Sequence, residues 1–167
     1  MAALHVRWVQ PRDYGPMLHI EKRSFQYPWS YMDFWKCLNS NPGIIVEIDR
    51  TTVGYLIYGI CPDKIALINL AVMPICRHCG IGSLLITLLM SKLMSSTQAG
   101  IEVIVREANV GAQMFLANQA HAFKWIETLH NFYSDTVEDA YVMWCCKPGY
   151  QQINVSRVHD QVQLLSL

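Results

Sequence analysis

The residues best placed to do chemistry lie in one stretch, Asn69-Leu-Ala-Val-Met-Pro-Ile-Cys-Arg-His-Cys-Gly-Ile-Gly-Ser-Leu-Leu-Ile86. A β-type run ends near Pro74, a turn with Gly80 and Gly82 follows, and a leucine-rich helix begins at once. A helix start leaves backbone N–H groups unpaired and carries the positive end of the helix dipole, so an anion is favoured there. Glycine lets a backbone approach phosphate without a Cβ in the way, and Arg77 can add a charge-assisted contact. Taken alone, Arg-x-x-Gly-x-Gly is equally compatible with an ordinary strand-to-helix turn. The same stretch holds Cys76-x-x-Cys79, a spacing also used by zinc and redox sites. A structural zinc needs four ligands, and the other close pair, Cys145-Cys146, is adjacent and lacks ligand spacing. No metal is expected. The six histidines are scattered, none at helical ligand spacing from an acidic residue.

The elements that must position this turn can be read from the pattern of apolar residues. Leu4 to Val9 suits an edge strand, and Pro11-Arg12-Asp13 supplies a turn and an N-cap for a helix over Tyr14 to Ser24. Phe25-Gln-Tyr-Pro-Trp29 interrupts, and Ser30 with Asp33 three residues on forms a capping box for a second helix that ends by Asn39 to Gly43. Ile44 to Ile48, Val53 to Tyr58 and Ile65 to Val72 are β-branched and aromatic runs separated by turn residues, which predicts an antiparallel meander. Leu84, Leu85, Leu88, Leu89, Lys92 and Leu93 recur at three-and-four spacing, a helix. A strand over Ile101 to Arg106, a helix capped by Asn109, and strands near Phe123 to Leu129 and Ala140 to Cys146 complete the order. The fold class expected is α+β in three layers, a mixed and mostly antiparallel sheet flanked by helices.

At 167 residues the chain suits one domain, and 52% hydrophobic against 16% charged residues is too apolar for disorder. Thirteen basic side chains balance thirteen acidic ones, so the basic footprint of a nucleic-acid binder is missing. The start, Met1-Ala-Ala-Leu-His-Val-Arg-Trp, lacks a long uncharged apolar run, and the six cysteines are expected to be reduced thiols. A cytoplasmic protein, with no membrane or nucleic-acid partner, is expected, as a monomer or weak dimer.

The strand ending in Leu-Ala-Val-x-Pro, the Arg77-x-x-Gly-x-Gly82 turn and the helix after it together resemble the acetyl-CoA signature of the GNAT acetyltransferases, and Val105-Arg-Glu-Ala-Asn109 is similar to that superfamily's Val-Arg-x-x-Asn segment. His19-Ile-Glu-Lys-Arg-Ser-Phe-Gln-Tyr-Pro-Trp-Ser30 resembles the first helix and Pro-Trp loop of the ribosomal-protein-alanine N-acetyltransferases, the RimI type, as do Asn131-Phe-Tyr133 and Glu138-Asp-Ala-Tyr-Val-Met143 their last two strands. The likeness runs from about Val6 to Met143, which implies a GNAT domain over 1–147 and a tail over 148–167. It implies acetyl-CoA as cosubstrate, with Leu70, Ala71 and Val72 offering backbone groups to the pantetheine arm. By the same likeness Arg77 and His78, Cys79, Gly80, Ile81, Gly82 and Ser83 wrap the pyrophosphate, and Asn109 contacts the cofactor. Glu21, Tyr27, Pro28, Trp29 and Tyr133 fall where the family forms its peptide groove, although core packing accounts as well for Trp29 and Tyr133. Glu102 and Tyr133 are the catalytic candidates that the resemblance implies.

The chain departs from the family at three places. The glutamate two residues before the Val-Arg-x-x-Asn arginine is Ile104, and Glu102 lies two residues earlier on the same strand face, about 6.6 Å further along. Glu102 can act through a water, or directly if Ile104 and Val105 are an insertion. The family's tyrosine acid falls at Leu116, and its Gly-Phe is Ala122-Phe123, with His121 before it. An α-amine with a pKa near 7.7–8.0 is about a tenth neutral at pH 7, whereas a lysine near 10.4 is neutral only a few times in ten thousand. A weakened base therefore favours an N-terminal amine of a protein or peptide, such as a ribosomal protein, over lysine. The rival expectation is a GNAT-fold module that binds acetyl-CoA or a partner without turnover.

Overall fold

A computed structural model describes residues 3–150. Its elements, in chain order, are β1 (Leu4–Trp8), α1 (Tyr14–Ser24), α2 (Tyr31–Leu38), β2 (Gly43–Ile48), β3 (Thr51–Ile60), β4 (Ile65–Val72), α3 (Ile81–Met94), β5 (Gly100–Arg106), α4 (Val110–Ala117), β6 (Lys124–Tyr133) and β7 (Glu138–Cys146). Short 3-10 turns at Pro11–Asp13 and Pro74–Cys76 precede α1 and α3. The order is the one expected from the apolar pattern, and the seven strands belong to one mixed sheet with helices against it. Strand ends differ from expectation at β6, which runs on to Tyr133, and at β7, which starts at Glu138. Of the expected tail, 151–167 lie outside the described residues.

The contacts group into two compact units, one of Met1–Ile60 with Leu67–Ser91 and the other of Cys61–Ala66 with Lys92–Leu167. In the first unit the strand order is β1-β2-β3-β4. β1 pairs antiparallel with β2 from Leu4 opposite Ile48 to Trp8 opposite Ile44. β2 turns into β3 through Asp49 and Arg50, both at positive φ (48° and 66°), which is the backbone a two-residue hairpin needs to match strand twist. The core of this unit is built from Tyr14, Met17 and Ile20 of α1, Phe34 and Cys37 of α2, Ile45 of β2, Tyr55 and Ile57 of β3 and Ala71 of β4. The three-residue spacing on α1 and α2 places these side chains on one helical face each, so burying that face fixes both helices on the sheet.

Asp13 corrects one expectation. Its carboxylate makes no cap to α1; it accepts from the Gln10 N–H (2.7 Å) and from Arg7 at 2.7 and 2.8 Å, while Arg7 also reaches Glu47 at 2.5 Å. Burial alone would push its pKa up, but the bonds from Arg7 and the Gln10 N–H outweigh that and hold it below the ordinary carboxylate value. The expected capping box of α2 is present, with Ser30 Oγ accepting from Asp33 N (3.3 Å) and Asp33 Oδ2 accepting from Ser30 N (2.7 Å).

In the second unit the order is β5-β7-β6. β5 pairs with β7 residue by residue, from Gly100 opposite Cys146 to Arg106 opposite Ala140, with no bulge. β6 pairs with β7 less regularly, with shifts between Trp125 and Glu127 and between Leu129 and Tyr133. α4 starts at Asn109, whose Oδ1 accepts from the Ala112 N–H at 3.1 Å, the cap expected from the sequence.

Candidate active site

The turn before α3 is built around Gly80 and His78. Gly80 sits at φ +83°, and nothing lies within 4 Å of where its Cβ would be, so the backbone there is open to an approaching group. His78 also takes a positive φ of 60°. The first bond of the helix runs from the Leu84 N–H to the Gly80 carbonyl (2.9 Å), so the N–H groups of Ile81, Gly82 and Ser83 come before any carbonyl that could accept them within the helix. Arg77 is exposed and its Nε donates to the Val72 carbonyl at 3.2 Å, which ties the guanidinium to the end of β4. Open backbone, unpaired donors, a helix dipole and a fixed cation suit a phosphate group, so these residues fit the pyrophosphate of a coenzyme A. Leu70 is half-buried on β4, and Ala71 and Val72 are buried.

The end of α1 and the loop before α2 hold the other candidates of the first unit. Glu21, on the last turn of α1, is 2% exposed. Its carboxylate accepts from the Trp29 N–H at 3.1 Å, from the Tyr55 hydroxyl, and from Asn69 Nδ2 at 3.4 Å to each oxygen. Burial pushes its pKa up, against the pull of Tyr55, the Trp29 N–H and Asn69. Burial pushes the Tyr55 hydroxyl further up, and the charge of Glu21 adds to it. Trp29 packs edge-on against Phe34 at 5.3 Å, at the margin of the core, whereas Tyr27 is 45% exposed and Pro28 is exposed. Trp29 is thus a packing residue whose backbone serves Glu21, and Tyr27 is the aromatic of the loop that faces solvent.

The second unit holds the other candidates. Glu102 is buried on β5, and its Oε1 meets Lys64 Nζ at 2.8 Å, with both side chains 4% exposed. β5 pairs with β7 regularly from Glu102 to Arg106, so Glu102, Ile104 and Arg106 share one strand face, and counted back from Arg106 Glu102 stands two residues before the family's position. Tyr133 lies under Arg106, whose guanidinium carbon is 3.7 Å from the ring centroid. Burial raises the Tyr133 pKa, and Arg106 works against that. Arg106 also pairs with Asp135 and Glu138, each at 3.0 Å. Asn109 spends its side-chain oxygen on the α4 cap.

Asn69 and Tyr55 were not singled out in the sequence. A lone Asn in a β-type run and a Tyr in a buried strand carry no local signal, and their importance comes from what they reach across the fold. Cys76 and Cys79 flank the turn, half-buried and exposed, and among the described residues no group of three or more His, Cys, Asp or Glu could hold a metal ion. No helix among them is long and apolar enough to cross a membrane.

The order of strands and helices is that of the GNAT fold, and residues 10–121 match the acetyltransferase (GNAT) family. The chain belongs to that family. It is 28% identical over 142 residues to a putative [ribosomal protein bS18]-alanine N-acetyltransferase of Bacillus subtilis, covering 83% of this chain and 93% of the relative. The crystal structure of the ribosomal-protein-S18-alanine N-acetyltransferase from Escherichia coli superposes with a TM-score of 0.78 at 22% identity, over 91% of this chain and 99% of that one. Arabidopsis thaliana Naa50, solved with a bisubstrate analogue joining CoA to an acetylated peptide, superposes at 0.73 with 16% identity, over 84% and 97% of the two chains.

Proposed function

We propose that this enzyme transfers the acetyl group of acetyl-CoA to the free α-amine at the N-terminus of a protein or peptide, with an alanine-initiated ribosomal protein as the acceptor class that the relatives' names suggest. The observation that carries the reading is the carboxylate of Glu21, buried on α1 and bonded at once to the Pro-Trp loop through the Trp29 N–H and to β4 through Asn69. The loop resembles the acceptor side of the alanine N-acetyltransferases, and the strand resembles the acetyl-CoA side of the GNAT acetyltransferases.

Bound at the α3 turn, acetyl-CoA supplies a thioester. The N–H groups of Ile81, Gly82 and Ser83 and the Arg77 guanidinium hold its phosphates, and the backbone of Leu70 to Val72 orients its arm. The amine nitrogen forms a bond to the acetyl carbonyl carbon, the carbon–sulfur bond breaks, and the amine's proton leaves with the thiol. Proximity of the two reactants supplies much of the acceleration. An α-amine that is about a tenth neutral at pH 7 asks little of a base, which fits a chain with Ile104 in the family's glutamate position. Glu102 and Tyr133 remain the side chains proposed to assist proton movement, Glu102 only if its pair with Lys64 opens.

The test is mass spectrometry of two peptides incubated with the protein and acetyl-CoA. An Ala-initiated peptide with a free amine is expected to gain one acetyl group, and its N-blocked, lysine-containing version none. Preferential acetylation of the lysine overturns the N-terminal reading, and acetylation of neither favours a module that binds without turnover.

A further inference from the structure

We propose that Asn69 on β4, held in place by Glu21, is the residue that receives the acceptor's α-amine. The inference deepens the proposed function and rests on it.

Glu21 is badly placed to do this itself. It is 2% exposed, and both oxygens are engaged by Trp29, Tyr55 and Asn69. A carboxylate only accepts hydrogen bonds, so the amide nitrogen of Asn69 is the end that faces it, and the amide orientation is fixed by chemistry. The Asn69 carbonyl oxygen is left on the opposite side, and among the described residues it receives no hydrogen bond. Asn69 is half-buried where Tyr55 and Glu21 behind it are buried, so the network ends at this one polar oxygen.

What such an oxygen can bind follows from its surroundings. It is an acceptor, it is backed by a carboxylate, and the amide between them is polarised by that charge, which strengthens the carbonyl as an acceptor. A protonated or neutral primary amine is a donor that matches it. An acidic or purely apolar group is not. Position in the chain supports the match: Asn69 directly precedes Leu70, Ala71 and Val72, the segment assigned to the thioester arm, so an amine bonded here lies beside the donor strand. The Trp29 N–H on the same carboxylate ties the Pro-Trp loop to this point, so Glu21 sets both the amide and the loop and is a positioning residue.

The experiment is calorimetry on protein saturated with CoA, using an Ala-initiated peptide and its N-acetylated form, with the wild type and Asn69→Ala. Wild type should prefer the free amine by roughly tenfold, the effect of one hydrogen bond to a charged group. Asn69→Ala should reduce that preference to less than twofold in a variant that still folds and keeps its CoA affinity, with Tm lowered only by the lost bond to Glu21. Glu21→Gln should weaken the preference in the wild-type background and add nothing in the Asn69→Ala background, which a purely structural Glu21 would not do. A full preference retained by Asn69→Ala, with the variant folded, overturns the assignment. A wild type that binds both peptides equally sinks the N-terminal reading itself, and the assignment with it.

Discussion

Two buried charges, Lys64 and Glu102, meet at 2.8 Å with each side chain 4% exposed. A pair of this kind gives little net stability over apolar residues, yet removing one partner is costly because the other charge stays in a poor solvent. Glu102→Gln should therefore lower stability by about 3–5 kcal/mol, read as a fall in Tm on the order of 10 °C. Measured at 20 °C on folded protein, its effect on kcat/KM should be flat with pH as long as the Lys64 pair stays closed during turnover. A loss concentrated below pH 7 and fading above pH 9 would instead mark Glu102 as a proton acceptor for the amine. The residues legible in the sequence were those whose chemistry is written in one stretch, such as the Arg77 to Ser83 turn and the Glu21 to Trp29 segment. Those that were not legible act across distance: Tyr55 and Asn69 reach Glu21 from 34 and 48 positions away, and Lys64 reaches Glu102 from 38. Nothing in a local pattern announces such a contact, because its geometry exists only once the sheet has formed.

At the scale of elements, the apolar pattern recovered nearly all of the order because α1 and α2 each bury one face at helical spacing, while central strands such as β3 are buried on both faces and read as continuous apolar runs. Strand ends were less legible. β6 runs to Tyr133 through an irregular pairing with β7, and the shift between Leu129 and Tyr133, with Asn131 at φ +53°, breaks the alternation that a sequence pattern depends on. Asp13 was misread because a short acidic residue before a helix is the usual cap, and here the Arg7 guanidinium competes for it and wins. The start of α3 gives the sharpest test of an element's function. Gly82→Asp places a carboxylate in the first turn, where an acidic side chain favours the helix dipole, so the variant should fold. The same charge stands against the pyrophosphate, so acetyl-CoA binding should fall at least a hundredfold by calorimetry, and an unchanged affinity in a folded variant would remove the cofactor from this turn.

For the molecule as a whole, the balance of thirteen basic and thirteen acidic side chains leaves no strong net field to draw a charged acceptor in or to shift its ionisation. The pH dependence of the reaction should then follow the substrate's own amine. With the pKa near 7.7–8.0, the neutral fraction rises from about a tenth at pH 7 to over nine tenths at pH 9, so kcat/KM should climb roughly six- to tenfold over that interval and level off above it. Glu21 works in the same direction. Burial raises its pKa, and as pH falls through that value its carboxylate takes up a proton and loses the charge that strengthens its bonds from the Trp29 N–H, Tyr55 and Asn69, so a second loss of activity should appear on the acid side and none on the alkaline side. The decisive control changes the substrate and leaves the protein alone. A peptide whose α-amine is more acidic by one pKa unit should move the upper midpoint down by one unit, leaving the acid-side loss where it was; an upper midpoint that stays fixed would place that titration on a protein side chain and require a dedicated base.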